Sequence, residues 1–187
     1  APVAGGDASA SGSEDDAVIN GPVTAGRDVD GEALTYSVVG TAPDGVTFNT
    51  ADGSFSVAPS AADQGLDTGE TRVVTFQYVA NDGTDNSAPA TVTVTINGAN
   101  DAPVSAGDAS ASGSEDDAVI NGQVAAGTDV DGEALTYSVV GSTPAGVTFN
   151  LDGSFSVAQD LVDQGLDTGE SRVVSFARSS GFPPAHA

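Results

Sequence analysis

The chain is written in short runs where apolar and polar residues alternate. In 33–39 (ALTYSVV), Leu34, Tyr36 and Val38 fall on one face. In 90–96 (ATVTVTI), Val92, Val94 and Ile96 face one way and three threonines the other. A period of two is that of a half-buried strand. VTFN, SFSVA and RVVTFQYVA are likewise rich in β-branched or aromatic residues, so they too predict strands. DG, NG and TG pairs between the runs predict turns. No segment carries a helical period. About seven short strands in roughly 100 residues predict a Greek-key β-sandwich.

That pattern occurs twice. DVDGEALTYSVVG stands at 28–40 and again at 129–141, and Ala1–Asn49 aligns with Ala102–Asn150 at one offset. One residue is then lost, and the match runs on from Asp52 with Asp152 to Phe76 with Phe176. About four in five aligned positions are identical, the mark of a tandem array. A unit this long should be a domain in its own right. The expected division is 1–100 and 101–187. After Phe176 the second unit reads ARSSGFPPAHA, where the first reads QYVANDGTDNSAPATVTVTINGAND. Two prolines disfavour a replacement strand there. The expected fold is therefore all-β: two tandem Greek-key sandwiches, cadherin- or immunoglobulin-like, the second lacking its last strand.

Composition narrows the function. The 187 residues include 27 acids, four arginines and no lysine, for a net charge of −23. Nucleic-acid binding needs cations to neutralise phosphate, so it is excluded, and docking on anionic lipid is disfavoured. No apolar run nears the roughly 18 residues that span a bilayer, so no membrane insertion is expected. No charged segment followed by an apolar one opens the chain. Any secretion signal is therefore expected to be removed, C-terminal or outside this sequence. Without cysteine there is no disulfide or thiolate metal site. Bound metal is another staple for a small extracellular module.

The acids gather in few places. Glu14, Asp15 and Asp16 lie in SEDDA; Asp28, Asp30 and Glu32 in RDVDGE; Asp67 and Glu70 in LDTGE; Asp82 and Asp85 in NDGTD; Asn97, Asn100 and Asp101 in NGAND. Calcium takes six to eight oxygens from carboxylates, amides and carbonyls. RDVDGE is not a helix-loop-helix calcium loop, because position six from Asp28 is Ala33 and position twelve is Val39. There is no glycine-rich calcium nonapeptide array. Asp15, Asp16, Asp63 and Asp85 read as turn or surface residues.

Together these motifs resemble the cadherin repeat and, more closely, the cadherin-like VCBS repeats of giant secreted bacterial adhesins. The resemblance covers essentially all of unit one and about three quarters of unit two. It rests on the early glutamate of SEDDA, on LDTGE with one residue more than LDxE, on DVDGEALTYS, on ANDG and on NGANDAP. NGANDAP departs from the family's linker by placing Asn97 at its first aspartate. The resemblance implies calcium between modules. The one complete junction would use Glu14, Asp67, Glu70, Asn100, Asp101, Asp129 and Asp131, while Asp28, Asp30 and Asp82 would serve as ligands in unit one. Asp82 has no equivalent in unit two, so that junction lacks one implied ligand.

Catalysis has little support. Cysteine and lysine are absent, and the one histidine, His186, lies in the divergent tail. Tyr36, Tyr78 and Tyr137 sit on strand patterns as core residues, and no sugar-stacking platform is visible. The resemblance implies a calcium-stiffened extracellular spacer or adhesion module of a large bacterial surface or biofilm protein. Its partners would be neighbouring repeats or further copies of itself, with the adhesive target open. One alternative is a filament subunit in which a neighbouring copy donates the missing strand, from a TVTVTI-like segment or its N-terminal stretch. A weaker alternative is a carbohydrate-binding accessory module.

Overall fold

The computed structural model describes residues 1–159 and 165–181. His186 and the two tail prolines lie outside the described residues. The chain forms two compact units, Ala1–Asn100 and Asp101–Ala187.

Unit one is a seven-stranded sandwich. Its strands are β1 (Ala8–Ser13), β2 (Ile19–Pro22), β3 (Thr35–Val38), β4 (Val46–Phe48), β5 (Ser54–Val57), β6 (Thr71–Asn81) and β7 (Ala90–Asn97). One sheet runs β1-β7-β6-β3 and the other β2-β5-β4. A single 3-10 turn, Asp63–Gly65, joins β5 to β6. β7 is central to the first sheet. It pairs antiparallel with β6, Val74 opposite Val94, and parallel with β1, Ala10 opposite Val94. Val92, Val94 and Ile96 are fully buried, as their alternation predicts. They meet Ile19, Phe55 and Val57 of the facing sheet in one core. Phe76 stands edge-on to Phe48 at 6.0 Å and to Phe55 at 5.7 Å, a favoured aromatic geometry. Tyr36, Tyr78 and Tyr137 are all buried, as core residues should be.

β1 and β2 carry no strand signal of their own. ASASGS is small and polar, poor in the β-branched residues that favour strands. It becomes a strand because β7 offers it a free edge.

Unit two repeats the three-stranded sheet as β8 (Val119–Gln123), β10 (Val147–Phe149) and β11 (Ser154–Ala158), in the order β10-β11-β8. Of the second sheet, the described residues hold only β9 (Thr136–Val139) paired with β12 (Arg178–Gly181). The tail thus does contribute a strand. It continues the position of β6 beside β9 and does not replace β7. The backbone of Arg178 pairs opposite Val139 as Tyr78 pairs opposite Val38. Arg178 also inherits a polar contact: Tyr78 Oη donates to Gly6 O at 2.8 Å, and Arg178 Nη2 to Gly107 O at 2.6 Å. Residues 171–177, the counterpart of the first part of β6, form no strand, and no β7 equivalent flanks them among the described residues.

Candidate functional site

The acids of unit one form two separate constellations. The first lies between β2 and β3. A clamp sets its entry: Val3 N donates to Arg27 O and Arg27 N to Val3 O, both at 2.8 Å. Gly26 makes the approach possible, since a Cβ there would stand 2.7 Å from Val3 O. The Gly26 N–H is held by Tyr36 Oη at 3.0 Å. Beyond the clamp, Asp28 Oδ1 accepts the Asp30 N–H at 2.8 Å, an Asx turn that folds the loop back. Gly31 then takes a φ of 83°, a left-handed conformation that suits glycine.

This turn brings one carboxylate oxygen each of Asp28, Asp30 and Glu32 within 4.8 Å of one another. The Asp28 side chain is only 1% exposed. Its Oδ2 is buried and has no hydrogen-bond partner, with the Ala1 amino group 3.8 Å away. Unit two repeats the clamp (Val104 with Thr128) and the Asx turn (Asp131 N to Asp129 Oδ1, 3.0 Å). There Asp129 Oδ2 and Asp131 Oδ1 are the buried oxygens without a hydrogen-bond partner. Asp131 Oδ2 accepts the Asp101 N–H at 2.7 Å, which ties the start of unit two to its own acidic loop. Glu32, grouped with these acids in RDVDGE but not in the expected ligand set, joins Asp28 and Asp30 in unit one. Its signal was the alternate spacing 28, 30, 32.

The second constellation is built on Glu14, which is 1% exposed. Its Oε2 accepts the Leu66 N–H at 3.2 Å and its Oε1 the Ala99 N–H at 2.8 Å. Its carbonyl accepts from Gln64 Nε2 at 2.6 Å. Glu14 therefore ties the end of β1 to the 3-10 turn and to the segment after β7. Asp67 and Glu70 form a tight turn beside it: Asp67 N donates to Glu70 Oε2 at 3.2 Å and Glu70 N to Asp67 O at 2.9 Å. Gly98 N donates to Glu70 O at 2.9 Å, which closes the bundle. Unit two keeps the tether, with Leu166 N on Glu115 Oε2 at 3.1 Å, and the turn, with Asp167 N on Glu170 Oε2 at 3.0 Å.

Asp82 belongs to neither group of acids. Its Oδ1 accepts the N–H groups of Asp85 and Thr84, both at 2.8 Å, and these bonds hold its carboxyl below the usual value. Asp16 caps the end of β1 by accepting the Ser13 N–H at 2.9 Å, as a turn residue should. Asp63 is buried. Burial pushes its carboxyl up, but bonds from Arg72 and Ser60 outweigh this and hold it below 3.8.

A family model described as bacterial Ig domain matches residues 1–95 and 100–175. The chain belongs to that family. Among solved structures it is similar to human protocadherin-24 EC1-2 (form II), with 16% identity and a TM-score of 0.52, over 97% of this chain and 94% of that one. It is also similar to mouse cadherin-23 EC22-24, with 21% identity and a TM-score of 0.48. That alignment covers 84% of this chain but only 53% of the cadherin-23 chain. No curated protein matches the chain. The protocadherin likeness fixes the fold as cadherin-like. No helix among the described residues is long and apolar enough to cross a membrane.

Proposed function

We propose that the chain is a pair of non-catalytic extracellular modules from a large bacterial surface protein, stiffened by calcium. Its units act as spacers in an adhesive array. The observation that carries this reading is the Asp28 carboxylate. It is 1% exposed, has one oxygen without a hydrogen-bond donor, and sits beside two further carboxylates. A buried anion next to like charges is costly unless a cation offsets it. The repeat argues that this is not an effect of the nearby Ala1 amino group. At the equivalent place in unit two, the Ala102 nitrogen is part of a peptide bond, yet Asp129 Oδ2 is buried in the same way.

The donor set is all oxygen, which suits calcium and not a thiolate- or imidazole-seeking metal. Asp28, Asp30 and Glu32 would hold the ion in unit one, and Asp129 and Asp131 in unit two. Glu14, Asp67, Glu70, Asn100, Asp101 and Asp82 remain proposed as ligands on the family resemblance. The ion would supply the positive charge that the acidic loops lack. Affinity should be that of extracellular modules, roughly 10⁻⁴–10⁻³ M. The family and the fold support the extracellular spacer reading.

The experiment compares two double variants by calorimetry and by the thermal shift on adding calcium. Asp129→Asn with Asp131→Asn should lose much of the calcium heat and shift. Asp15→Asn with Asp16→Asn removes the same charge and should keep both. Equal losses would show that the acids act only as diffuse surface charge, and the site assignment would fail.

A further inference from the structure

We propose that Arg27 sets the two acidic loops to different calcium affinities, so that the loop of unit two (129–133) fills at lower calcium than the loop of unit one (28–32). The inference rests on the calcium reading above and adds the residue that grades it.

The two loops are a matched pair. From 25 to 40 and from 126 to 141 the letters are the same except at one place, Arg27 against Thr128. The backbone around that place is also the same. Arg27 exchanges two bonds with Val3, both at 2.8 Å, and Thr128 exchanges two with Val104, at 2.8 and 2.9 Å. The Gly26 N–H donates to Tyr36 Oη at 3.0 Å, and the Gly127 N–H to Tyr137 Oη at 2.8 Å. Gly31 and Gly132 take φ values of 83° and 84°. Each loop holds a buried carboxylate oxygen with no hydrogen-bond partner, Asp28 Oδ2 in one and Asp129 Oδ2 in the other, and the Asp28 side chain is 1% exposed. What differs is one side chain, on an exposed residue in both units, directly before the first of these acids.

That side chain matters because cations are scarce. The chain has four arginines and no lysine against 27 acids. Arg72 is committed to Asp63, and Arg178 to the carbonyls of Ala106 and Gly107. The Arg27 guanidinium makes no ion pair or hydrogen bond among the described residues. It is an uncommitted positive charge beside the acids that a cation must join. A fixed unit charge roughly 10 Å from a divalent ion, in water of low ionic strength, lowers the ion's affinity by about threefold. At about 0.15 M salt the screening length is about 8 Å, so the penalty shrinks. Thr128 carries no charge and imposes no such penalty.

The test follows the Gly31 and Gly132 amides by NMR while calcium is titrated into the full chain, since each glycine reports its own loop. In the unaltered chain the Gly132 midpoint should come at lower calcium. Arg27→Thr and Arg27→Gln should each lower the Gly31 midpoint by about threefold at low salt, and by less at about 0.15 M. Arg27→Lys should leave it in place, because the charge is kept. Thr128→Arg should raise the Gly132 midpoint by a similar factor. The clamp uses only the backbone at this position, and threonine is what the other copy carries, so the fold should be kept. The Ala1 amino group near Asp28 is common to all the Arg27 variants and cancels from their comparison. If calcium moves both glycines but Arg27→Thr leaves the Gly31 midpoint unchanged, the role of Arg27 is overturned and the calcium reading stands. A Gly132 midpoint at or above that of Gly31 in the unaltered chain overturns the proposed order of filling. Calcium that moves neither glycine overturns the calcium reading itself, and this inference with it.

Discussion

The same six residues, ASASGS, are a strand at Ala8–Ser13 and form no strand at 109–114. The letters are identical, so intrinsic propensity cannot account for the difference. What differs is the neighbour. β7 presents a parallel edge to the first copy, Ala8 opposite Val92 through Ser13 opposite Asn97, and no described residue does so for the second. The effect spreads through the sheet. In unit one the core joins thirteen buried residues across both sheets, and in unit two the described core reduces to Val124, Tyr137 and Phe155. Where the central strand is present its neighbours are strands, and where no described residue takes its place the same letters are not. Sheet pairing of this kind is a tertiary property that local sequence cannot supply.

The comparison can be broken at the aromatic cluster, where the largest effect is expected. Phe76 and Phe176 each stand edge-on to two phenylalanines at nearly the same distances, 6.0 and 5.7 Å against 5.6 and 5.7 Å. Only Phe76 is covered by β7 and buried. Phe76→Ala should cost unit one about 3–5 kcal/mol, as buried Phe truncations do. Phe176→Ala should cost clearly less, because its ring already meets solvent. Urea unfolding followed separately in each unit would measure both. Equal costs would mean that aromatic contacts alone, without the cover of β7, set the packing energy.

Much of this architecture was legible in the sequence, and the failures have physical causes. The alternation of 90–96 announced β7 and its buried Val92, Val94 and Ile96, because a one-sided strand must hide every second side chain. The three tyrosines read correctly as core for the same reason. β1 was invisible, since Ala, Ser and Gly give no apolar face and its pairing depends on a segment some 80 residues away. The tail strand β12 gives no signal either, because Arg178, Ser179, Ser180 and Gly181 include no β-branched or aromatic side chain. At the acids, the DVDGE loop was read as a ligand cluster and the fold gathers it, with Glu32 added. Glu14 was read only as a ligand. Its use as a tether to Leu66 and Ala99 depends on backbone amides, which no side-chain pattern reports.

A smaller effect sharpens the comparison at low pH. The Asp63 carboxyl lies below its ordinary value of 3.8 in folded unit one, held there against burial by Arg72 and Ser60. The unfolded chain therefore takes up the proton first as pH falls. The contribution is complete above about 3.8 and is lost as pH drops through the lower folded value. Asp63→Asn should reduce unit one's stability near neutral pH and flatten its loss below pH 4, seen in thermal melts across that range. An unchanged acid limb would show that the Arg72 pair contributes nothing to folding.

The central claim is that β7 orders the sheet around it and that its neighbours do not order themselves. Amide exchange on the dilute, monomeric full chain tests this most directly, because the two copies of ASASGS and of RVV sit in one molecule under one condition. The account predicts slow exchange at 8–13 and 72–76 and fast exchange at 109–114 and 172–176. Equal protection of the two copies would contradict it.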